Sequence, residues 1–260
     1  MPTISANGLT VAYEVAGEGP PLILLHGATG SGRSHFFGLL PVLATTFRAY
    51  APDARGHAGT RWDPGDGFST ADLVADVVAF ADAQGLQTFH LLGYSMGGMT
   101  ALAFAVDHGP RLRSLVALSV AAEREPRLRV ASSLMDPARI ERQDPAWAAA
   151  LASRHDPVQG EGAWRRLLSA VVADIASQPL LTPAELRAIE VPTLVVAGDR
   201  DPFVPVGRAW QLARQVADGR LLIIPGADHD LLGSGHRLLL PALIDQYATI
   251  DLGTAAEDLP

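Results

Sequence analysis

The sequence predicts an α/β fold: a mostly parallel sheet with helices on both faces and a helical insertion in its second half. Three observations carry this. Short continuous apolar runs, at residues 22–25, 89–92 and 193–197, have the character of strands buried on both faces. Between them lie stretches with apolar residues at helical spacing, so strand and helix alternate. From Ala121 to about Ala188 that alternation breaks, and the chain reads as a group of helices rich in arginine and acids.

Residues 9–16 alternate loosely, as an exposed edge strand or hairpin arm does. Gly17-Glu18-Gly19-Pro20-Pro21 is a turn, and Leu22-Ile23-Leu24-Leu25 is the first buried strand. It runs into a glycine-rich loop, residues 26–32. Ser34 is a candidate cap for the helix that follows with Phe36, Leu39, Leu40 and Leu43. A strand over 47–51 is closed by Pro52-Asp53-Ala54-Arg55-Gly56-His57. Ser69 or Thr70 caps a helix over 73–83, and Gly85 ends it. Residues 88–92 are the next strand, a helix over 99–106 stops at Gly109-Pro110, and 112–120 is one more buried strand. Helix-like pieces lie near 127–135, 145–154 and 163–175. Thr182-Pro183-Ala184-Glu185 is a capping box that starts a fourth. Order then resumes with strand 193–197, helix 206–216, strand 221–224 and a last helix over 237–247, before a loose tail from Thr254. The domain organisation that follows is a core of residues 1–120 and 189–260. Residues 121–188 form a helical cap over the carboxyl ends of the strands, where open α/β sheets bind ligands.

Composition narrows the chemistry. The 260 residues suffice for one large domain, and cysteine is absent, which removes thiolate nucleophiles and cysteine-ligated metals. Every basic residue other than histidine is arginine, so Schiff-base chemistry and a phosphate-loop lysine are excluded. A net charge of −8 without a basic stripe argues against nucleic acid. The first residues lack a basic start and an apolar core, and no apolar run approaches the ~20 residues that span a bilayer. The expectation is a soluble cytoplasmic protein that acts on a small molecule, with no membrane, metal or cofactor.

Gly93-Tyr94-Ser95-Met96-Gly97, between a strand and a helix, supplies that chemistry. Gly-x-Ser-x-Gly in this setting is the pattern of a nucleophile elbow, a strained turn that exposes the serine hydroxyl. The glycines are needed because a side chain at Gly93 or Gly97 would strike neighbouring backbone. The helix after the turn aims its free N–H groups and positive end at any oxygen that gathers charge beside Ser95. A serine hydroxyl needs a base, and the base needs a third group to fix its tautomer. Downstream of Ser95 stand His108, His155, His229 and His236. His229, in a turn just past a strand, can face the same sheet edge; His108 ends the elbow helix, His155 falls in the cap, and His236 opens the last helix as the alternative. For the acid, Asp201 in Gly198-Asp199-Arg200-Asp201 follows a strong strand, with Asp199 as competitor. Met96, next after the nucleophile, offers one backbone N–H to an oxyanion, and Ala28 in the loop after His26-Gly27 is the best-placed second donor.

Taken together, His26-Gly27, Pro52-Asp53-x-Arg55-Gly56-His57, Gly93-Tyr94-Ser95-Met96-Gly97-Gly98, Gly198-x-x-Asp201 and Gly226-x-x-His229 resemble the α/β-hydrolase superfamily of the serine-nucleophile type. The resemblance covers nearly the whole chain outside the cap. It implies the α/β-hydrolase fold, a Ser95–Asp201–His229 triad and an acyl-enzyme. Ser95 stands where haloalkane dehalogenases and epoxide hydrolases use aspartate, which argues against those activities. Met99 replaces an arginine expected in a lyase of the menaquinone pathway. Ala58 replaces the usual glycine of the Arg-Gly-His-Gly loop, and His35 stands where an aromatic is common, as packing or as a polar group at the pocket mouth.

The leading expectation is hydrolysis of a carboxylic ester or lactone of a medium-sized, mostly apolar molecule. A C–C bond hydrolase or lyase of the same fold, or a ligand receptor that retains the triad, is the alternative. Apolar residues of the cap should first pack it on the core and in part line the pocket, with Trp147 and Trp164 as its walls. The arginines of that segment, matched by acids, read as a solvated outer surface.

Overall fold

The computed structural model describes residues 1–233 and Pro241. The last helix expected over 237–247, His236 and the tail lie outside the described residues. Strands β1 (Thr3–Ala6) and β2 (Leu9–Ala16) form an antiparallel hairpin. With β3 (Pro21–Leu25), β4 (Arg48–Pro52), β5 (Phe89–Tyr94), β6 (Leu112–Leu118), β7 (Thr193–Gly198) and β8 (Gly219–Ile224) they make one eight-stranded sheet. Its order is β1-β2-β4-β3-β5-β6-β7-β8. From β4 to β8 every pairing is parallel, while β2 joins β4 antiparallel. Of the two alternatives for residues 9–16, the structure takes the hairpin arm, and β1 rather than β2 holds the edge of the sheet.

The period of two along the central strands divides the core into two layers. Ile23, Leu25, Leu91, Leu115, Ala117, Val195 and Ala197 face α3 (Thr70–Ala83), α4 (Met96–His108) and α10 (Val206–Gln215), through Val77, Phe80, Leu102 and Leu212. Leu22, Leu24, Leu92, Val116, Leu118 and Val196 face the other way, toward Phe36, Leu39 and Leu43. These last belong to α1 (Gly32–Phe36), α2 (Leu40–Leu43) and the short link between them, so the single helix expected here is broken in two. The cap of α1 is Ser31, whose hydroxyl accepts from the Ser34 N–H at 3.0 Å while Ser34 Oγ accepts from the Ser31 N–H at 2.8 Å. Ser34 is thus the third residue of the box rather than the cap.

Five helices are inserted between β6 and β7: α5 (Arg127–Leu134), α6 (Pro137–Gln143), α7 (Pro145–Gln159), α8 (Ala163–Ser177) and α9 (Pro183–Arg187). The second was not expected from the sequence. Asp136 caps it through the Ala138 N–H, Asp144 caps α7 through the Trp147 N–H, and proline is the first residue of both helices. Ile140, Leu151, Trp164 and Leu168 give the inserted helices a small core of their own.

The loop after β4 fixes the surface around the strand ends. Asp53, 2 % exposed, accepts from the N–H of Gly32 at 2.8 Å and of Gly59 at 3.0 Å. Arg55 grips both oxygens of Asp76 on α3 at 2.7 Å and donates to the Asp66 and Gly67 carbonyls. Such a buried pair holds its segments in register, and breaking one partner costs about 3–5 kcal/mol.

Candidate active site

Ser95 is the single residue between β5 and α4, at φ +54° and ψ −112°. A non-glycine residue held there stores ~1–3 kcal/mol of strain. Two hydrogen bonds hold it: the Ser95 N–H donates to Leu118 O at 2.9 Å and the Gly97 N–H to His26 O at 3.2 Å. A Cβ on Gly93 would lie 2.1 Å from Gly97 O, and one on Gly97 would lie 2.3 Å from Leu25 O. The elbow closes only with glycine at both positions.

The strands bring three sequence-distant side chains together at their carboxyl ends. His229 Nε2 stands 2.9 Å from Ser95 Oγ, and Nδ1 stands 2.8 Å from Asp201 Oδ2. The other oxygen of Asp201 accepts from the Phe203 N–H at 2.8 Å and the Val204 N–H at 3.1 Å. Its side chain is wholly buried. An ionised Asp201 requires the proton on Nδ1, which leaves the Nε2 lone pair facing the serine hydroxyl. The loop carrying His229 is itself anchored, since its carbonyl accepts from Tyr94 Oη and Ser119 Oγ, each at 3.1 Å. The imidazole lies against the Phe203 ring, centroids 4.3 Å apart. Asp199 has a different place: it accepts from the Gly226 N–H at 2.7 Å and pins the turn ahead of His229. His108 lies against Phe104 at the far end of α4.

Ala28 and Met96 both line the cavity at Ser95. Neither backbone N–H has a partner among the described residues. Two free donors beside a poised hydroxyl are the arrangement a tetrahedral oxyanion requires.

Four histidines that the sequence reading did not assign to this site support the loop bearing Ala28. His35 Nδ1 accepts from the Gly27 N–H at 3.1 Å, and Gly30 lies against the His35 ring so closely that a Cβ there would be 2.2 Å from it. His26 Nε2 accepts from the Ala54 N–H at 2.9 Å. His57 Nε2 is 3.0 Å from Ala28 O. His155, on α7, accepts from the Ala58 N–H at 3.1 Å and donates to Thr29 O at 3.3 Å, and Arg154 donates to the same carbonyl. Burial pushes all four rings down to about 3, with the Arg154 guanidinium adding to the effect at His26, His35 and His155, so they are neutral at physiological pH. His35 is thus a hydrogen-bonded element of the loop rather than simple packing. The signal available in the sequence was the pairing of His26 with His57 in the two loops that follow β3 and β4.

The inserted helices contribute Met135, Val171 and Ile175 to the cavity wall, together with the polar Arg127, Asp174 and Gln178. Neither tryptophan stands where the sequence reading put it. Trp164 is 2 % exposed and turns into the core of the inserted helices, with Trp147 against the same cluster. Trp147 also borders a separate surface groove beside Arg154 and Leu232. Helical spacing marks these rings as inward-facing, and the inward side of α7 and α8 at those positions is their shared interface. The arginines also depart from expectation, because Arg127 is 8 % exposed rather than solvated.

Among the described residues no helix is long and apolar enough to cross a membrane, and no group of three or more metal-ligating side chains occurs. The sheet order, with an elbow at its centre and helices inserted after β6, defines the α/β-hydrolase class of fold. The chain belongs to the alpha/beta hydrolase family, whose profile matches residues 22–240. It is 28% identical over 251 residues to pyrrolizixenacetamide deacetylase of Xenorhabdus hominickii, covering 91% of each chain. It is also 28% identical over 249 residues to 2-hydroxy-6-oxo-6-(2'-aminophenyl)hexa-2,4-dienoic acid hydrolase of Metapseudomonas resinovorans, covering 87% of this chain and 83% of that one. Among solved structures, a serine hydrolase involved in carbazole degradation superposes with a TM-score of 0.77 at 25% identity, over 96% of this chain and 98% of that one.

Proposed function

We propose that the protein is a serine hydrolase of carboxylic esters or lactones of medium-sized, mostly apolar small molecules. Residues 121–188 serve as the cap that selects the substrate. The observation that carries the reading is the continuous chain Ser95 Oγ–His229 Nε2, 2.9 Å, and His229 Nδ1–Asp201 Oδ2, 2.8 Å. His229 takes the hydroxyl proton as Ser95 Oγ bonds to the acyl carbon, and the carbonyl electron pair moves onto an oxygen held by the Ala28 and Met96 N–H groups. Collapse breaks the acyl–oxygen bond, and the protonated His229 hands its proton to the departing alcohol. Water then repeats the sequence on the acyl-enzyme, releasing the acid and restoring Ser95. Asp201 orients the ring and stabilises its protonated form. Relatives named as a deacetylase and as a hydrolase of a dienoic acid support hydrolytic chemistry at an acyl or carbon–carbonyl bond.

A fluorophosphonate probe followed by peptide mass mapping tests the nucleophile, and a panel of p-nitrophenyl esters and lactones tests the reaction. The expected result is labelling at Ser95, turnover of esters, and loss of both in a folded Ser95→Ala protein. An unlabelled Ser95 would assign the cavity to ligand reception, and labelling without turnover of any ester or lactone would assign it to C–C bond chemistry.

A further inference from the structure

One side chain in the cavity beside Ser95 has no part in the chemistry above. Arg127, the first residue of α5, lines that cavity together with Ser95 and His229, and only 8 % of its surface is exposed. Its Nε and Nη2, which share one edge of the guanidinium, are shut off from water and have no hydrogen-bond partner among the described residues. The same edge is filled elsewhere in the molecule: Arg55 uses Nε and Nη2 to hold the two oxygens of Asp76, both at 2.7 Å. That is the bidentate geometry in which a planar guanidinium meets a carboxylate.

Neither acid that attracts Arg127 pairs with it, although Glu123 keeps one buried oxygen, Oε2, without a partner among the described residues. Asp174 lines the same cavity and exerts the largest attraction on Arg127 of any charge. Its oxygens nevertheless accept from the Thr70 N–H and Thr70 Oγ1, each at 2.9 Å, and it forms no ion pair with Arg127. Glu123 is paired with Arg208 at 3.2 Å. Arg124 adds a second positive charge near Arg127 and spends one N–H on Gln178 O at 3.0 Å. Burial draws Arg127 down to about 10, well above neutrality, so the guanidinium is cationic at physiological pH. A buried donor without a partner costs ~1–3 kcal/mol, and more when charged. Folding gains nothing from leaving such an edge empty, whereas a ligand that reaches it, as neighbouring side chains shift to open the closed edge, recovers that cost on binding.

We propose that Arg127 determines specificity by binding a carboxylate on the substrate. The substrate is then a half-ester of a dicarboxylic acid, or a lactone carrying a free acid, with its apolar middle against Met135, Val171 and Ile175. This rests on the reading of Ser95 as an acyl-transfer nucleophile for the reacting end alone. Hydrolysis adds one water across the acyl–oxygen bond and leaves a dicarboxylate, or a hydroxy diacid from a lactone, with no redox change. The mostly apolar substrate of the broader reading becomes an apolar chain with one anionic end.

Two measurements test the site. The first is binding without chemistry: calorimetry of the wild-type protein with succinate, glutarate, adipate and pimelate, each against its neutral diamide. At least one diacid is expected to bind on the order of 10-fold or more tightly than its diamide, as a charge-assisted pair supplies. That ratio falls toward one in Arg127→Gln, is partly kept in Arg127→Lys, and stays as in the wild type in Arg129→Gln, an exposed arginine of the same helix. The second compares kcat/KM for mono-p-nitrophenyl esters of these diacids with p-nitrophenyl esters of monoacids of equal length. A preference for the charged series, carried mainly in KM and lost in Arg127→Gln, is expected. Equal binding of diacids and diamides by the wild type across the series overturns the proposal, as does a preference that survives Arg127→Gln. The wild-type comparison decides the matter even if the variants fail to fold. Diacid binding with no ester turnover would keep the anion site and reject the esterase reading; turnover without charge preference would do the opposite.

Discussion

Asparagine at position 201 is an informative single change because its surroundings dictate how the amide must point. The Phe203 and Val204 N–H groups both donate to Oδ1, at 2.8 and 3.1 Å. An amide NH2 there would set three donors against one another, so the amide oxygen takes that place and Nδ2 turns to His229 across 2.8 Å. Nδ2 then donates to Nδ1, and the ring proton is driven to Nε2, where it faces Ser95 Oγ in place of a lone pair. Asp201→Asn should therefore lower kcat by on the order of 10⁴, about 5 kcal/mol of transition-state stabilisation. The near-identical shape should hold the stability loss to about 1–2 kcal/mol, that of a weakened hydrogen-bonded pair. Both numbers follow from p-nitrophenyl butyrate kinetics and thermal melting of the same preparation. Activity within tenfold of the wild type would refute the tautomer argument. A larger loss from Asp199→Asn, which only frees the Gly226 turn, would move the role to the other aspartate.

Other consequences are as direct. His229→Ala should cost several orders of magnitude in the same assay and His236→Ala little, and a reversal would reassign the base. Trp164→Ala removes a ring buried among Ile140, Leu151 and Leu168, so it should cost about 3–5 kcal/mol of stability in denaturant melts while leaving the ester chain-length profile in place. Val171→Phe, a change in the cavity wall, should do the converse and shorten the preferred acyl chain. Acid should unfold the protein by protonating its buried histidines. His26, His35, His57 and His155 have folded values near 3 against 6.5 when exposed, so the unfolded chain binds more protons between those limits and stability falls as pH drops through them. Asp53, raised to about 6 by burial, has the opposite sign and offsets part of one proton between about pH 4 and 6. Melting curves from pH 7 to 4 should show net uptake of several protons on unfolding, and a flat profile would contradict the buried, neutral rings.

The alternation that predicts the sheet is legible because β3, β5, β6 and β7 are buried on both faces, and continuous apolar runs advertise that. Strand β1 escapes notice because its burial comes only at Ala6, the last of four residues, and nothing in Thr3-Ile4-Ser5 stands out from a tail. Helix α6 escapes because it buries a single apolar residue, Ile140. Parallel strand ends bring the loops of Ser95, of His229 and of Asp199 and Asp201 to one edge, and the choice of Asp201 over Asp199 comes from the family pattern. The cavity wall could not be anticipated in this way. Spacing puts Trp164 and Val171 on one inward stripe of α8, two turns apart, and does not show that the first meets Ile140 and Leu151 while the second lines the cavity at Ser95. Charge patterning likewise hides Arg127, whose neighbours Arg124 and Arg129 share its composition and not its depth.

The hydrogen bonds from Arg154 and His155 to Thr29 have a bearing on how such proteins are redesigned. Helix α7 belongs to the inserted segment, yet it holds the loop that presents the Ala28 N–H. A segment grafted from a relative to change the substrate would remove those two bonds, and with them the contact of His155 with the Ala58 N–H. The recipient would then owe a slackened loop beside Ser95, whatever the new lining selected. Transplants that carry residues 154 and 155 over unchanged should keep the turnover of the parent, and those that do not should trade rate for specificity.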